Sequence, residues 1–218
     1  CVFPLHDPER EPAYRVPNDR VLAWAEQSNG RFVPFCRLDP TQRPRDEAER
    51  CLAAGARGIK LHPRAQGFDF GHSALADIFV IAHEHRVPIL IHAGRGMAPI
   101  ASELCALARR VPATLILAHA AIADMATFTT RLADHPAAFF DTSVFGTLDL
   151  SELFSRVPVE RILFASDPPY GRPLAGAYAT ARVARHVGVD DDGMRALMGG
   201  NMARILAADP PHPPSRPA

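Results

Sequence analysis

The sequence lacks any apolar run approaching the roughly 18 residues that a membrane-spanning helix needs, and its N-terminus lacks the basic-then-apolar layout of a signal peptide. A soluble protein with no membrane partner is expected. It also lacks an excess of either charge. Its 24 Lys and Arg balance 24 Asp and Glu, so no net field concentrates nucleic acid or draws the chain to an anionic surface. The partner expected is a small-molecule substrate. Cysteine is scarce and scattered: Cys1, Cys36, Cys51 and Cys105 form no C-x-x-C pair. That argues against a zinc knuckle, a redox motif or a disulfide framework and fits a reducing, cytoplasmic setting. Also missing are a G-x-x-x-x-G-K-[ST] loop, a G-x-G-x-x-G turn after a strand and a G-x-S-x-G elbow. Nucleotide-binding and serine-hydrolase readings therefore find no support.

What is present is one repeated unit. The 218 residues, 47% of them hydrophobic, suffice for one sizeable core and are too few for two ordinary domains. Short apolar runs alternate with amphipathic stretches that end at Gly or Pro, the pattern of βα units. Strands are predicted at Cys1–Leu5, Phe32–Cys36, Gly58–His62, Pro88–His92, Thr114–His119, Ala138–Asp141 and Arg161–Ser166. Their uniform apolarity marks buried parallel strands rather than half-exposed antiparallel ones. Helices are predicted over Asn18–Asn29, Asp46–Ala54, Ser73–Arg86, Pro99–Arg110 and Asp190–Ala207. The domain is expected to span residues 1–207, with 208–218 a proline-rich tail. The chain opens on the strand-like Cys1-Val2-Phe3-Pro4-Leu5 with no start residue or cap before it, which reads as a chain cut into.

Seven parallel strands suit an open doubly wound sheet or a barrel missing one stave, and the polar residues decide between them. Lys60, His62, His92, His119, Asp141 and Asp167 stand at or just beyond the C-terminal ends of five predicted strands. In a barrel those ends converge on one face, where active sites of that fold are built; in an open sheet they spread along a row. Each alone has a plain structural explanation. A strand-end histidine is more often a hydrogen-bonded turn residue than a ligand. Asp167 before Pro168-Pro169 suits a turn, Asp141 suits a local cap, and Lys60 could reach its ammonium to the rim. Jointly those explanations weaken, because two histidines and an aspartate at the ends of buried strands are costly unless they share a partner. A divalent metal is such a partner, and imidazole with carboxylate is the usual donor set for catalytic zinc.

Six segments then resemble, in order, the strand-end signatures of the amidohydrolase superfamily. They are Gly58-Ile59-Lys60-Leu61-His62-Pro63, Ile91-His92-Ala93-Gly94, Leu117-Ala118-His119, Phe140-Asp141-Thr142-Ser143, Phe164-Ala165-Ser166-Asp167-Pro168-Pro169 and Gly199-Gly200-Asn201-Met202-Ala203. The nearest resemblance is to the amidohydrolase-related branch, which also contains decarboxylases. It implies a (β/α)₈ TIM barrel lacking its first strand and helix, with a divalent metal, zinc by preference. It further implies His92 as the strand-five ligand, His119 as the strand-six histidine that binds metal or orients water, and Asp167 as the strand-eight carboxylate that takes the water's proton. Lys60 stands where two-metal members carry a carboxylated lysine and is kept as a rim or substrate residue, with His62 beside it. Arg95, Tyr170 and Arg172, on loops after the same strand ends, are candidates for gripping a substrate carboxylate. His72, His83, His85, His135 and His186 fall in or beside helices and are read as solvated.

One feature of the family is missing: its strand-one His-x-His pair has no counterpart, and the only early histidine, His6, stands alone. The expected activity is a metal-dependent hydrolase, with metal-activated water attacking an amide, ester or related bond of a small molecule. Two alternatives stay open: a non-oxidative decarboxylase using the same site, and a metal-free barrel remnant that binds a ligand or partner. A missing stave also exposes strand edges at Cys1–Leu5 and Arg161–Ser166, which a homo-oligomer would cover.

Overall fold

A computed structural model describes residues 1–5, 13–97, 99–132 and 135–207. His6 and the proline-rich tail lie outside the described residues. Six parallel strands form one sheet: β1 (Cys36–Arg37), β2 (Ile59–Leu61), β3 (Ile89–His92), β4 (Leu115–Ala118), β5 (Ala138–Asp141) and β6 (Ile162–Leu163). They pair in chain order, β1 through β6, with no reversal. A doubly wound sheet needs a switch point where the order reverses, so this sequential order is the topology of a barrel wall.

The side chains confirm which face is which. Residues alternate across a strand. Ile89, Ile91, Leu115, Leu117, Phe140 and Ile162 therefore face outward into a large core shared with helices. That core receives Ala48 and Cys51 from α2 (Pro44–Ala53), Leu75, Ile78 and Phe79 from α4 (Ala74–Glu84), and Leu104 from α5 (Ala101–Arg110). It also receives Phe128 from α6 (Met125–Arg131), Leu153 from α7 (Thr147–Arg156) and Ala184 from α8 (Pro173–His186). The alternate set, Leu90, Ile116, Ala118, Phe139 and Leu163, forms a second cluster with Phe35 on the opposite face. There the helical contribution comes from α10 (Asn201–Leu206), through Ile205, Met202 and Leu206. Helices on one face and a side-chain-filled interior on the other are what a barrel requires. Register puts Lys60 level with Leu90, His92 level with Ala118 and Asp141 level with Leu163, so these polar residues lie on the inner face.

Several strands are shorter than the sequence predicts. Cys1–Leu5 is reduced to one parallel bridge between Val2 and Pro34. Val2 N–H donates to Val33 O (2.9 Å) and Phe35 N–H to Val2 O (2.8 Å), but Pro4 and Pro34 have no N–H with which to extend a ladder. The expected seventh strand is thus this bridge. The predicted Arg161–Ser166 keeps only Ile162–Leu163, because Phe164 N–H turns to Leu197 O (3.0 Å) and Ala165 N–H to the Thr142 hydroxyl (3.3 Å). The predicted helix Asp190–Ala207 is divided into α9 (Asp191–Arg195), a wide turn at Ala196–Gly200, and α10. Asn201 fastens the start of α10 by donating to both Val159 O and Ile162 O at 2.8 Å.

The two-residue β1 is held by side chains as much as by the ladder. Asn18, buried in α1 (Arg15–Gln27), accepts from Arg37 N–H (2.8 Å) and donates to Arg37 O (3.0 Å), pairing with that residue as a neighbouring strand would. The same amide donates to Glu47 (2.8 Å), which also accepts from Arg50 through two 2.8 Å bonds. Burial raises the Glu47 carboxyl, but the hydrogen bonds from Arg50, Asn18 and Cys51 outweigh it and hold it below the ordinary value.

Asn18→Ala is expected to cost about 2–4 kcal/mol in urea denaturation, because it strands buried backbone and carboxylate groups. Since the folded Glu47 carboxyl is depressed, its contribution is present above the unfolded pKa and lost as pH falls through the folded one. Acid unfolding of Glu47→Gln should therefore be shallower than that of the parent below about pH 4.5.

Candidate active site

The inner face ends in a row of imidazoles. His92 closes β3, where the ladder still holds it level with Ala118. Its ring stacks on that of His62, centroids 3.7 Å apart and 13° from parallel, and meets the His119 ring edge-on at 4.8 Å. His62 is the N-cap of the short α3 (Pro63–Gln66), its Nδ1 accepting from Ala65 N–H at 3.2 Å. His119 lies just past β4 with φ 55°, and this left-handed bend turns the chain out of the ladder.

Asp141 fixes that bend. Its Oδ1 accepts from His119 N–H (2.9 Å), from Ser143 N–H (3.0 Å) and from the Ser143 hydroxyl. The local capping role that sequence suggested for Asp141 is therefore joined to a reach across to β4. Since the Ser143 proton goes to Asp141, the Ser143 oxygens serve as acceptors for His119 Nδ1, at 2.9 Å (Oγ) and 3.2 Å (carbonyl). That assigns the His119 proton to Nδ1 and leaves a lone pair on Nε2. His119 Nε2 in turn lies 3.2 Å from His92 Nδ1, which assigns the His92 proton to Nδ1 and its lone pair to Nε2. The Asp167 carboxylate stands 3.9 Å from His119 Nε2, beside it but beyond hydrogen-bond reach.

The charges follow from burial. Desolvation lowers the His92 imidazole to about 2, helped by His62, Lys60, His119 and Arg64, so the ring is neutral. Lys60 is 4% exposed. Burial lowers its ammonium to about 8, with Asp141 and Asp167 opposing the fall and Arg37 adding to it. Burial raises the Asp167 carboxyl against the pull of His119 and Lys60.

Two glycines give the cluster its room. A Cβ on Gly94 would stand 2.9 Å from His119 Cδ2 and 3.0 Å from His92 Nε2. A Cβ on Gly171 would stand 2.0 Å from Ser166 O, so the loop carrying Asp167 folds tightly because position 171 has no side chain.

Of the residues expected at the site, Lys60, His62, His92, His119 and Asp167 are brought together. Arg95 is 71% exposed and pairs with Asp149 at 2.6 Å. The pair borders an open cleft of about 820 Å³ between α6 and α7 that the histidines do not line. Tyr170 and Arg172 are exposed on the loop before α8. Sequence reasoning missed Ser143, which orients His119, and Arg64, whose charge reaches His92. A hydroxyl two residues after a strand-end aspartate was the available signal for Ser143.

Among the described residues no three His, Cys, Asp or Glu side chains stand close enough together to hold a metal ion. His119 Nε2 faces His92 instead. The donors nonetheless fit such an ion in kind: the His92 ring is neutral, His119 is held through its other nitrogen as metal-binding histidines are, and Gly94 carries no side chain beside His92 Nε2.

The chain belongs to the amidohydrolase family, whose family model, described as Amidohydrolase, matches residues 6–207. Among curated proteins nothing matches. Solved structures share the fold. An uncharacterised TIM-barrel protein from Bordetella bronchiseptica superposes with TM-score 0.70 at 16% identity, covering 87% of this chain and 72% of that one. A dihydroxybenzoic acid decarboxylase from Polaromonas, with bound manganese and the inhibitor 2-nitroresorcinol, gives TM-score 0.66 at 19% identity over 90% and 75%. A protein from Acinetobacter baumannii described as a probable 2-pyrone-4,6-dicarboxylic acid hydrolase gives 0.65 at 12% over 87% and 78%. These likenesses show that the fold is a TIM barrel. No helix among the described residues is long and apolar enough to cross a membrane.

Ser143→Ala removes the hydroxyl between Asp141 and His119, and any divalent-metal binding at the His119 imidazole is expected to weaken about 10–100-fold, read by competition with a chromogenic chelator. Gly94→Ala should lower stability by about 1–3 kcal/mol in urea denaturation, as the added methyl forces the two rings apart.

Proposed function

We propose that this chain carries the active site of a metal-dependent hydrolase that cleaves an amide, ester or related bond in a small molecule. The observation that carries this reading is the relay Asp141–Ser143–His119, which presents His119 Nε2 beside His92 and Asp167. Relays of this kind orient metal-binding histidines. His92, His119 and Asp167 would hold the ion, zinc by preference on an imidazole and carboxylate set. Bound there, a divalent ion supplies a polarised carbonyl and a more acidic water.

The remaining steps belong to the chain's own residues. Asp167 takes the proton of the attacking water and delivers it to the leaving group. His119, locked by Ser143, keeps its Nε2 lone pair directed into the site. Lys60 and the His62 ring bound the substrate from the β2 side. A second reading, non-oxidative decarboxylation at the same site, is favoured by the decarboxylase among the fold relatives. In it the carboxylate is the reacting group and no water adds to a carbonyl.

Elemental analysis of the purified protein is expected to find close to one divalent metal per chain, falling sharply in His92→Ala and Asp167→Ala. Protein that holds no metal, even after incubation with zinc or manganese, would overturn both readings. Against an active substrate, Asp167→Asn should lower kcat about 10²–10⁴-fold, the usual worth of a positioned proton carrier. Release of carbon dioxide in place of an amine, alcohol or acid would select the decarboxylase.

A further inference from the structure

Lys60 is the only lysine in the chain; the other 23 basic residues are arginine. It is also one of the most deeply buried charged groups, 4% exposed on the inner face between Arg37 and Leu90 in register. Its ammonium enters no hydrogen bond or ion pair with the described residues; its close contact is the Phe3 ring, 4.9 Å from Nζ. Asp141 and Asp167 act on it only at a distance, and Asp141 Oδ1 is already taken by His119 and Ser143. A desolvated cation without a hydrogen-bonded counter-charge is among the most destabilising groups a fold can carry. Position 60 also does not suit the guanidinium used everywhere else. A planar fork of five donors needs several acceptors, and beside position 60 stand Arg37 and Leu90 in register and the Phe3 ring. A compact ammonium needs only a small anionic group. Above it, at the rim, Arg64 is a second cation whose guanidinium enters no hydrogen bond or ion pair with the described residues; its charge reaches His92 and its Nη1 lies beside Gly96.

We propose that Lys60 is the substrate anchor of this site: its ammonium takes a carboxylate of the substrate onto the inner face, and Arg64 steers the same charge in from the rim. The assignment rests on the reading of the inner-face cluster as an active site and adds to it the substrate class, a small anionic molecule. In a hydrolase the anchored carboxylate would be a handle remote from the scissile bond; in a decarboxylase it would be the reacting group.

Because Lys60 is unique, protein grown on lysine carrying ¹³C at Cε shows a single lysine resonance. That resonance is followed while acetate, benzoate and the neutral isostere benzamide are titrated in turn, with thermal unfolding and metal content measured on the same samples. Acetate or benzoate is expected to shift the resonance saturably and raise Tm, whereas benzamide does neither. Lys60→Met is expected to unfold about 5 °C higher than the parent without ligand, since it removes an uncompensated charge, and to lose the carboxylate-induced rise in Tm. Lys60→Arg, which keeps the charge, should recover part of it. A resonance unmoved by saturating acetate and benzoate overturns the proposal, and so does a Lys60→Met protein that keeps the full carboxylate-induced rise. Metal content separates this result from the fate of the catalytic reading: absence of metal removes the hydrolase and decarboxylase proposals, while the lysine titration stands or falls independently.

Discussion

A parallel sheet whose strands pair in strict chain order has one face covered by helices and one filled by its own side chains. Everything distinctive about this protein follows from that division. The outward set, with Ile89, Leu115 and Phe140, packs against α2 and α4 through α8, and the inward set, with Leu90, Ile116 and Phe139, packs against itself and α10. Polar residues at the C-terminal ends of the inward set are thereby desolvated and crowded together. Each must find a partner or destabilise the fold.

The cluster meets that demand unevenly. Asp141 is heavily satisfied, by two backbone N–H groups and one hydroxyl. It acts as a support, passing orientation through Ser143 to His119. His92 and His119 satisfy each other. Lys60 is left buried and Asp167 half-buried, with no side-chain hydrogen bond among the described residues. Apolar groups of similar volume would cost the fold less at such positions.

Much of this was legible in the sequence. Continuous apolar runs such as Ile89-Leu90-Ile91 and Leu115-Ile116-Leu117 announce buried parallel strands, and the polar residue closing each run announces the candidate site. Strand ends were less legible. Pro4 and Pro34 shorten the first pairing to a bridge, and side-chain partners replace the ladder after Leu163. Propensity does not reveal such handovers, because they depend on which group happens to lie opposite. The rupture of the last predicted helix at Ala196–Gly200 is of the same kind: it lets Asn201 reach two carbonyls beside β6, far away in sequence.

By itself the sequence determined the fold class, the direction of the sheet and the set of residues at its C-terminal end, since those depend on periodicity and on the identity of each strand's closing residue. Tertiary structure alone decided which of those residues meet. Arg95 was drawn away by Asp149 on α7, and Ser143 was brought under His119 by a left-handed backbone bend. Lys60 was turned inward, onto the face the histidines share. Contacts between strand ends are set by register and loop path across dozens of residues, and local sequence carries no record of either.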